Sequence, residues 1–231
     1  MNVGFIGAGK VGCSFGKYFQ EHKIQVTGFY SKSEDSSLAA SNFTSSKQYL
    51  NLRELVDEND TIFITTPDGQ IQEVWQEIKN YQIKNKLICH CSGAISSDIF
   101  SNIQDYGAYG YSVHPMFSIS DKYNSYKKLK KSFITIEGDE KYAKFLCDFF
   151  KKLGNSTVIV SKENKSLYHA ASVVSSNLVL GLINTSVTYL IQCGFTEKMA
   201  IEALYPLIEF NIRNIKEKGI IESLTGPVER C

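Results

Sequence analysis

Residues 3–16, VGFIGAGKVGCSFG, decide the fold. An apolar, strand-like run leads into three glycines, Gly7, Gly9 and Gly12, at the spacing G-x-G-x-x-G, and a helical pattern follows. A strand that passes through such a turn into a helix is typical of a dinucleotide-binding βαβ unit. The alternative is a glycine turn that holds no ligand. The predicted cofactor-binding residues of this turn are Gly7, Ala8, Gly9, Lys10, Val11 and Gly12.

Outward from this turn, apolar strand patterns alternate with helical patterns as far as residue 160. Strands are predicted at 2–6, 24–30, 60–66, 86–92, 108–113, 132–138 and 156–160. Helices are predicted at 10–21, 52–58, 70–79, 96–103 and 139–153, with Asn51 as the N-cap of the second. This alternation predicts an α/β fold with a doubly wound, mainly parallel Rossmann-type sheet.

Two long helical segments replace the alternation after Val160, at about 163–193 and 196–217. We therefore predict a Rossmann-like domain over residues 1–161 and a smaller all-helical domain over 162–231. The stretch 166–196 contains no Asp, Glu, Lys or Arg. A membrane span is conceivable on its length, but Ser, Thr and Asn side chains interrupt it, which favours a deeply buried helix and no contact with a membrane.

Composition restricts the class of protein to which this chain can belong. The formal net charge of the 231 residues is +1, which gives no reason to expect a nucleic acid partner. The six cysteines are mostly far apart and are expected to be reduced thiols. No signal-like segment begins the chain, so we expect a cytoplasmic protein.

The choice of cofactor depends on the end of the second predicted strand. A dinucleotide-binding fold usually carries an acidic residue there, which holds the adenosine ribose. This chain has Ser31, Lys32 and Ser33 instead. Two hydroxyls and a cation would bind the 2′-phosphate of NADP by charge-assisted hydrogen bonds. The alternative is a solvated loop that accepts NAD.

The turn TTPD follows the third predicted strand. Thr65, Thr66 and Pro67 lie where the carboxyl-end loops of a parallel sheet line the nucleotide crevice. We predict that they contact the cofactor, although Pro67 could equally serve the turn alone.

Candidate catalytic residues come from two places. Ser92 and His114 follow neighbouring predicted strands, and a histidine at that edge can polarise a carbonyl or an imine or pass a proton. Lys165 and His169 share one stripe of the first long helix, which is polar only near its start. The alternative for His114 is a histidine that caps local backbone. The alternative for Lys165 and His169 is a helix end that is simply exposed.

A metal site is not predicted. Strand alternation places Cys89 and Cys91 on one face and His90 on the other, and no second pair of ligands has zinc-like spacing. The lysine-rich run at 122–131 is most simply a solvated segment, and the alternatives are a mobile flap or a surface that attracts an anionic substrate.

These motifs together resemble the 6-phosphogluconate-dehydrogenase-like oxidoreductases. The greatest resemblance is to a bacterial group with a Rossmann-like N-terminal domain and a C-terminal helical domain of unknown function. The blocks that carry it are GFIGAGKVG, TTPD, HCSGAISSD, VHPMFS, KSLYHAASVVSSN and LTGPVER. The resemblance implies an NADP-dependent oxidoreductase.

More distant relatives imply residue roles. The HPM block is similar to that of prephenate dehydrogenases, whose histidine contacts the reacting hydroxyl and whose serine matches Ser92. Ser118 and Ser120 occupy the region where those enzymes carry an acidic residue, which argues against prephenate as substrate. Lys165 matches the lysine of β-hydroxyacid dehydrogenases, but His169 stands where they have asparagine. Pyrroline-carboxylate reductases share the layout without these residues.

The sequence thus predicts an NADP(H)-dependent oxidoreductase that acts on a small carbonyl, imine or alcohol in a cleft between the two domains. His114, or Lys165 with His169, would handle the proton. The alternative is a catalytically silent NADP(H)-binding sensor. The charge-free helix is apolar on more sides than one partner helix can cover, so we expect a homodimer built on the helical domain.

Overall fold

One sheet of eight strands organises the fold of the computed structural model, which describes residues 1–223. All strand neighbours are parallel except one pair, so the predicted mainly parallel Rossmann-type sheet is confirmed. The strands are β1 (Asn2–Ile6), β2 (Gln25–Tyr30), β3 (Lys47–Tyr49), β4 (Thr61–Ile64), β5 (Leu87–His90), β6 (Tyr109–Met116), β7 (Phe133–Gly138) and β8 (Ser156–Ile159).

The sheet order is β3-β2-β1-β4-β5-β6-β7-β8, and β6 and β7 are the antiparallel neighbours. The order reverses between β1 and β4, which is where open α/β sheets form a ligand crevice at the carboxyl ends of their strands. Strands β1 and β4 are buried on both faces, which explains their continuous apolar runs. The first glycine turn therefore begins at the crevice.

Helices connect the strands and then replace them. Asn51 begins one of them as predicted, because its side chain accepts a hydrogen bond of 2.8 Å from the amide of Arg53. The helices are α1 (Lys10–Glu21), α2 (Glu34–Thr44), α3 (Leu52–Glu58), α4 (Asp68–Ile78), α5 (Glu140–Lys152), α6 (Lys165–Val173), α7 (Val179–Gln192) and α8 (Glu197–Lys218).

The chain divides into two compact units, residues 1–170 and the residues from Ala171 onward. The division falls inside α6, so that Lys165, Tyr168 and His169 belong to the same unit as the sheet. In the second unit a π-helical turn, Val174–Leu178, leads into α7, which packs against α8. The sequence pattern predicts the domain boundary earlier, between residues 161 and 162.

The prediction of a helix at 96–103 is wrong. The structure has two short 3₁₀ turns there, Ser97–Ile99 and Ile103–Tyr106. Asn102 between them adopts a left-handed conformation, with φ of 57°, and this backbone geometry cannot continue an α-helix. The LTGPVER block lies outside the described residues.

The expectation of a deeply buried first long helix is also wrong for the single chain. Val187 is buried, but Leu180 is 66% exposed and Ile191 is 45% exposed. By length and composition alone, the helical segment Lys162–Gln192 could cross a membrane, and only 6% of its most apolar window is buried. In its own unit α7 has α8 as its packing partner, which covers one side of the helix.

Candidate functional site

The glycine turn borders a cavity of about 380 Å³ at the carboxyl ends of β1, β2 and β4. Among the predicted cofactor-binding residues, the cavity lining contains Gly7, Ala8, Gly9, Lys10, Ser31, Lys32, Thr65, Thr66 and Pro67. Val11, Gly12 and Ser33 are not part of the lining. Gly12 packs instead against the Gly7 carbonyl and Thr65, and Ser33 caps α2 by accepting a hydrogen bond from Ser36.

This turn fits a pyrophosphate. Gly7 has a φ of 104°, which side-chain-bearing residues rarely adopt. A Cβ added at Gly9 would meet nothing within 4 Å, so the backbone there is open to a ligand. The amides at the start of α1 favour an anion. Thr66 lines the same cavity, and its buried hydroxyl has no hydrogen-bond partner among the described residues.

Lys32 lies in the cavity wall as an ion pair. Its Nζ is 2.9 Å from Oε1 of Glu73, which projects from α4 into the same wall. The hydrogen bond to Glu73, and then the Glu73 charge, raise the pKa of Lys32. Lys122 also lines the cavity, so at least one lysine of the 122–131 run lies at the predicted cofactor site.

Asp68 connects the cavity to the predicted catalytic residues. It follows Pro67 directly, and its Oδ2 accepts a hydrogen bond of 2.7 Å from the Ser92 hydroxyl. The same hydroxyl accepts hydrogen bonds from the amides of Ala94 and Ile95. Ser92 is therefore held in place by three partners, and it fixes the loop after β5 beside the cofactor turn.

Two histidines converge on Gly93. A Cβ at that position would lie 2.9 Å from Nε2 of His114 and 3.0 Å from Nδ1 of His169. The His169 Nδ1 atom is buried and has no hydrogen-bond partner among the described residues. His114 belongs to β6, whereas the prediction had it just past the strand. On its other side, His114 Nδ1 lies 2.6 Å from the Tyr168 hydroxyl.

Lys165 lies beneath this pair and is only 2% exposed. Its ammonium donates a hydrogen bond to the hydroxyl of Ser112, which in turn donates to the Ser92 carbonyl. Burial lowers the pKa of Lys165 from its usual value, and the negative charge of Glu137 opposes that shift. The alternative of a simply exposed helix end therefore does not describe Lys165.

The half-buried imidazole of His114 is neutral at neutral pH. Desolvation lowers the pKa of His114 to about 4, and the charges of Lys165 and His169 act in the same direction. A neutral imidazole carries one N–H and one acceptor nitrogen. His114 is thus suited to hydrogen-bond a substrate oxygen or nitrogen rather than to store a full charge.

Sequence reasoning missed Tyr168 and Asp68 as members of this cluster. Tyr168 lies inside the KSLYHAASVVSSN block, and only the fold brings its hydroxyl to His114. Within residues 1–223, no group of three or more His, Cys, Asp or Glu residues could hold a metal ion. Placement of the cluster in a cleft between two domains stays a prediction.

Comparisons with known proteins agree with the fold. Residues 1–115 match the model of a Rossmann-like domain, and residues 132–231 match a domain of unknown function, DUF2520. Comparison with curated proteins gave no match. The chain is similar to the solved structure of protein TM1727 from Thermotoga maritima, with 24% identity and a TM-score of 0.78 over 99% of this chain and 84% of that one.

Two further solved structures have named activities. One is a candidate NADP oxidoreductase, BF3122 of Bacteroides fragilis, with 20% identity and a TM-score of 0.79 over 99% of this chain and 85% of that one. The other is an NADH-preferring ketol-acid reductoisomerase from an uncultured archaean, with 14% identity and a TM-score of 0.78 over 99% of this chain and 74% of that one. At these identities the likeness shows the fold alone.

Proposed function

We propose that this chain, which belongs to the Rossmann-like proteins that carry a DUF2520 domain, is an NADP(H)-dependent oxidoreductase. It transfers a hydride between the nicotinamide and a small carbonyl, imine or alcohol. One observation carries the proposal: His114 Nε2 and the unpartnered His169 Nδ1 meet at Gly93, next to the loop that Asp68 ties to the cofactor cavity.

The chemistry divides between cofactor and protein. When bound, the reduced nicotinamide supplies the hydride, and the substrate heteroatom then needs a proton. His114 holds that heteroatom through Nε2. For this role Nε2 must carry the imidazole proton, and the Tyr168 hydroxyl at 2.6 Å is placed to donate to Nδ1 and so stabilise that tautomer.

Lys165 and His169 are the proton-handling residues. A lysine whose pKa is lowered by burial gives up a proton more readily than an exposed one. Lys165 donates a hydrogen bond to Ser112, and its Nζ lies 5.5 Å from the centre of the Tyr168 ring, beside the Tyr168–His114 pair. His169 Nδ1 lies beside the Gly93 position and has no hydrogen-bond partner within residues 1–223, so we assign to it the exchange of a proton with the substrate.

The test is a substrate panel of keto acids, imino acids and aldehydes, in which loss of NADPH absorbance is followed. We expect consumption with at least one class. Lys165→Ala and His169→Ala should each lower turnover by about 10²–10⁴-fold while NADPH binding stays nearly unchanged. If either variant, or His114→Ala, keeps full turnover, that residue has no part in the mechanism.

The alternative is a sensor that binds NADP(H) without turning over a substrate. Such a protein has no need for a buried lysine beside two histidines, so the burial of Lys165 supports the enzyme. NADPH binding that is unaffected by the whole panel, combined with no consumption in any reaction, would favour the sensor.

A further inference from the structure

The cofactor cavity contains carboxylates at the place where the second strand lacks one. Glu73 and Glu77 lie one turn apart on α4, and both line the cavity together with Lys32 and Tyr30 from the end of β2. Side chains from a neighbouring helix therefore supply carboxylates in the cavity where the acidic residue after that strand is usually found. Neither glutamate was singled out from the sequence, because α4 is distant from β2 along the chain.

Glu73 and Lys32 have opposite preferences for the 2′ position of a dinucleotide. A cation attracts a 2′-phosphate, whereas a carboxylate repels it and accepts a hydrogen bond from a 2′-hydroxyl. In the structure the two groups bind each other at 2.9 Å, and their side chains are 67% and 65% exposed. Such exposed pairs contribute little stability. An incoming phosphate can therefore replace Glu73 as the partner of Lys32.

We propose that Glu73 is a specificity-determining residue that sets the ratio of NADPH to NADH affinity. It competes with the 2′-phosphate for Lys32, and it offers an acceptor to the 2′-hydroxyl of NADH once Lys32 is displaced. This inference rests on the proposed function, since it presupposes that the cavity binds a nicotinamide dinucleotide.

The experiment is a titration of the full chain with NADPH and with NADH, in the unmodified protein, E73Q and E202Q. Because the removed charge is the one bound to Lys32, E73Q should raise the NADPH-to-NADH affinity ratio by roughly tenfold. Glu202 is a glutamate of equal exposure that pairs with Lys198 at 3.8 Å on α8 and is not part of the cavity lining, so E202Q is the matched control. We expect E202Q to change the ratio by less than about threefold.

A second pair of variants separates direct competition from a general charge effect. In a K32M background the substitution E73Q should lose most of its effect on NADPH, because the shared partner is gone. An unchanged ratio in E73Q, an equal effect of E202Q, or an undiminished effect in K32M would each overturn the proposal. If the unmodified chain binds neither cofactor, the proposed function itself is wrong. If it binds both and E73Q leaves the affinity ratio unchanged, the proposed function stands and only the role of Glu73 is wrong.

Discussion

Gly93 is in close contact with both histidines of the site. Its missing side chain leaves room for both His114 and His169, and both rings would have to shift if a methyl group were added. Catalysis is sensitive to displacements of this kind, since a 1 Å error in the position of a reacting group can cost about 10²-fold in rate.

We therefore expect Gly93→Ala to lower turnover by roughly tenfold or more and to leave NADPH affinity unchanged. Steady-state kinetics combined with a cofactor titration measures both. Gly69→Ala is the matched control, because a Cβ at Gly69 would meet nothing within 4 Å. Full activity in Gly93→Ala would show that the two rings do not form the substrate site.

The charge of Lys165 acts on His114. That charge, after desolvation, helps to hold the pKa of His114 at about 4. Lys165→Met keeps most of the side-chain volume and removes the charge, so the pKa of His114 should rise. NMR titration of the imidazole C–H signal measures it. A pKa that does not rise in Lys165→Met would mean that the charge of Lys165 does not act on this histidine.

Cofactor choice is also decided by single residues. Lys32 should make NADPH bind more tightly than NADH, and Lys32→Ala should weaken NADPH selectively, by about tenfold. Isothermal titration calorimetry compares the two cofactors directly. Equal affinities in the unmodified protein would contradict this expectation.

At the scale of elements, strand β5 carries a fully buried histidine. His90 accepts a hydrogen bond from the Ser92 amide through Nδ1, and its Nε2 lies 3.3 Å from the Ser96 carbonyl. Desolvation lowers the pKa of His90 to about 4 from the usual 6.5. Between those pH values the unfolded chain binds a proton that the folded chain does not, so the contribution to stability is complete above pH 6.5 and is lost as the pH falls toward 4.

The loss for this one group is on the order of 3 kcal/mol. Urea unfolding across this pH range should therefore show a smaller acid slope in His90→Gln than in the unmodified chain. His22→Gln, at an exposed position, is the control. An identical slope in His90→Gln would show that His90 is not responsible for the acid sensitivity.

Most elements could be predicted because their sequence signals are local. The alternation of strands and helices, the Asn51 cap and the glycine turn depend on neighbours in the chain. The 3₁₀ turns around Asn102 were not predicted, because the left-handed conformation of one asparagine does not change the hydrophobic periodicity of the sequence. Tyr168, Asp68 and Glu73 escaped it for another reason: their partners lie far away in sequence and meet them only when the sheet is formed.

At the scale of the whole molecule, the helices of the second unit expose large apolar side chains. Leu182 is 69% exposed on α7, and Leu207 and Phe210 are each 61% exposed on α8. Monomeric proteins rarely leave extended apolar patches uncovered. Glu and Lys residues distributed along α8 argue against a lipid partner, so we propose a second copy of the chain as the occupant. The expected cytoplasmic location stays a prediction.

We expect a homodimer at micromolar concentration, with twofold symmetry as the commonest arrangement. Light scattering measures the molar mass. Leu182→Lys should shift the chain toward monomer, whereas Lys198→Ala, at a side chain that is 86% exposed, should not. A monomer in the unmodified protein would contradict the proposed interface.

The proposed function depends on hydride transfer at the His114–His169 site. The most direct measurement uses NADPH with deuterium at the transferring C4 position, incubated with the chain and the panel of keto acids, imino acids and aldehydes. We expect mass spectrometry to find one deuterium on carbon in a reduced product, and we expect His169→Ala to suppress this signal while NADPH still binds. NADPH binding without any labelled product across the panel would contradict it.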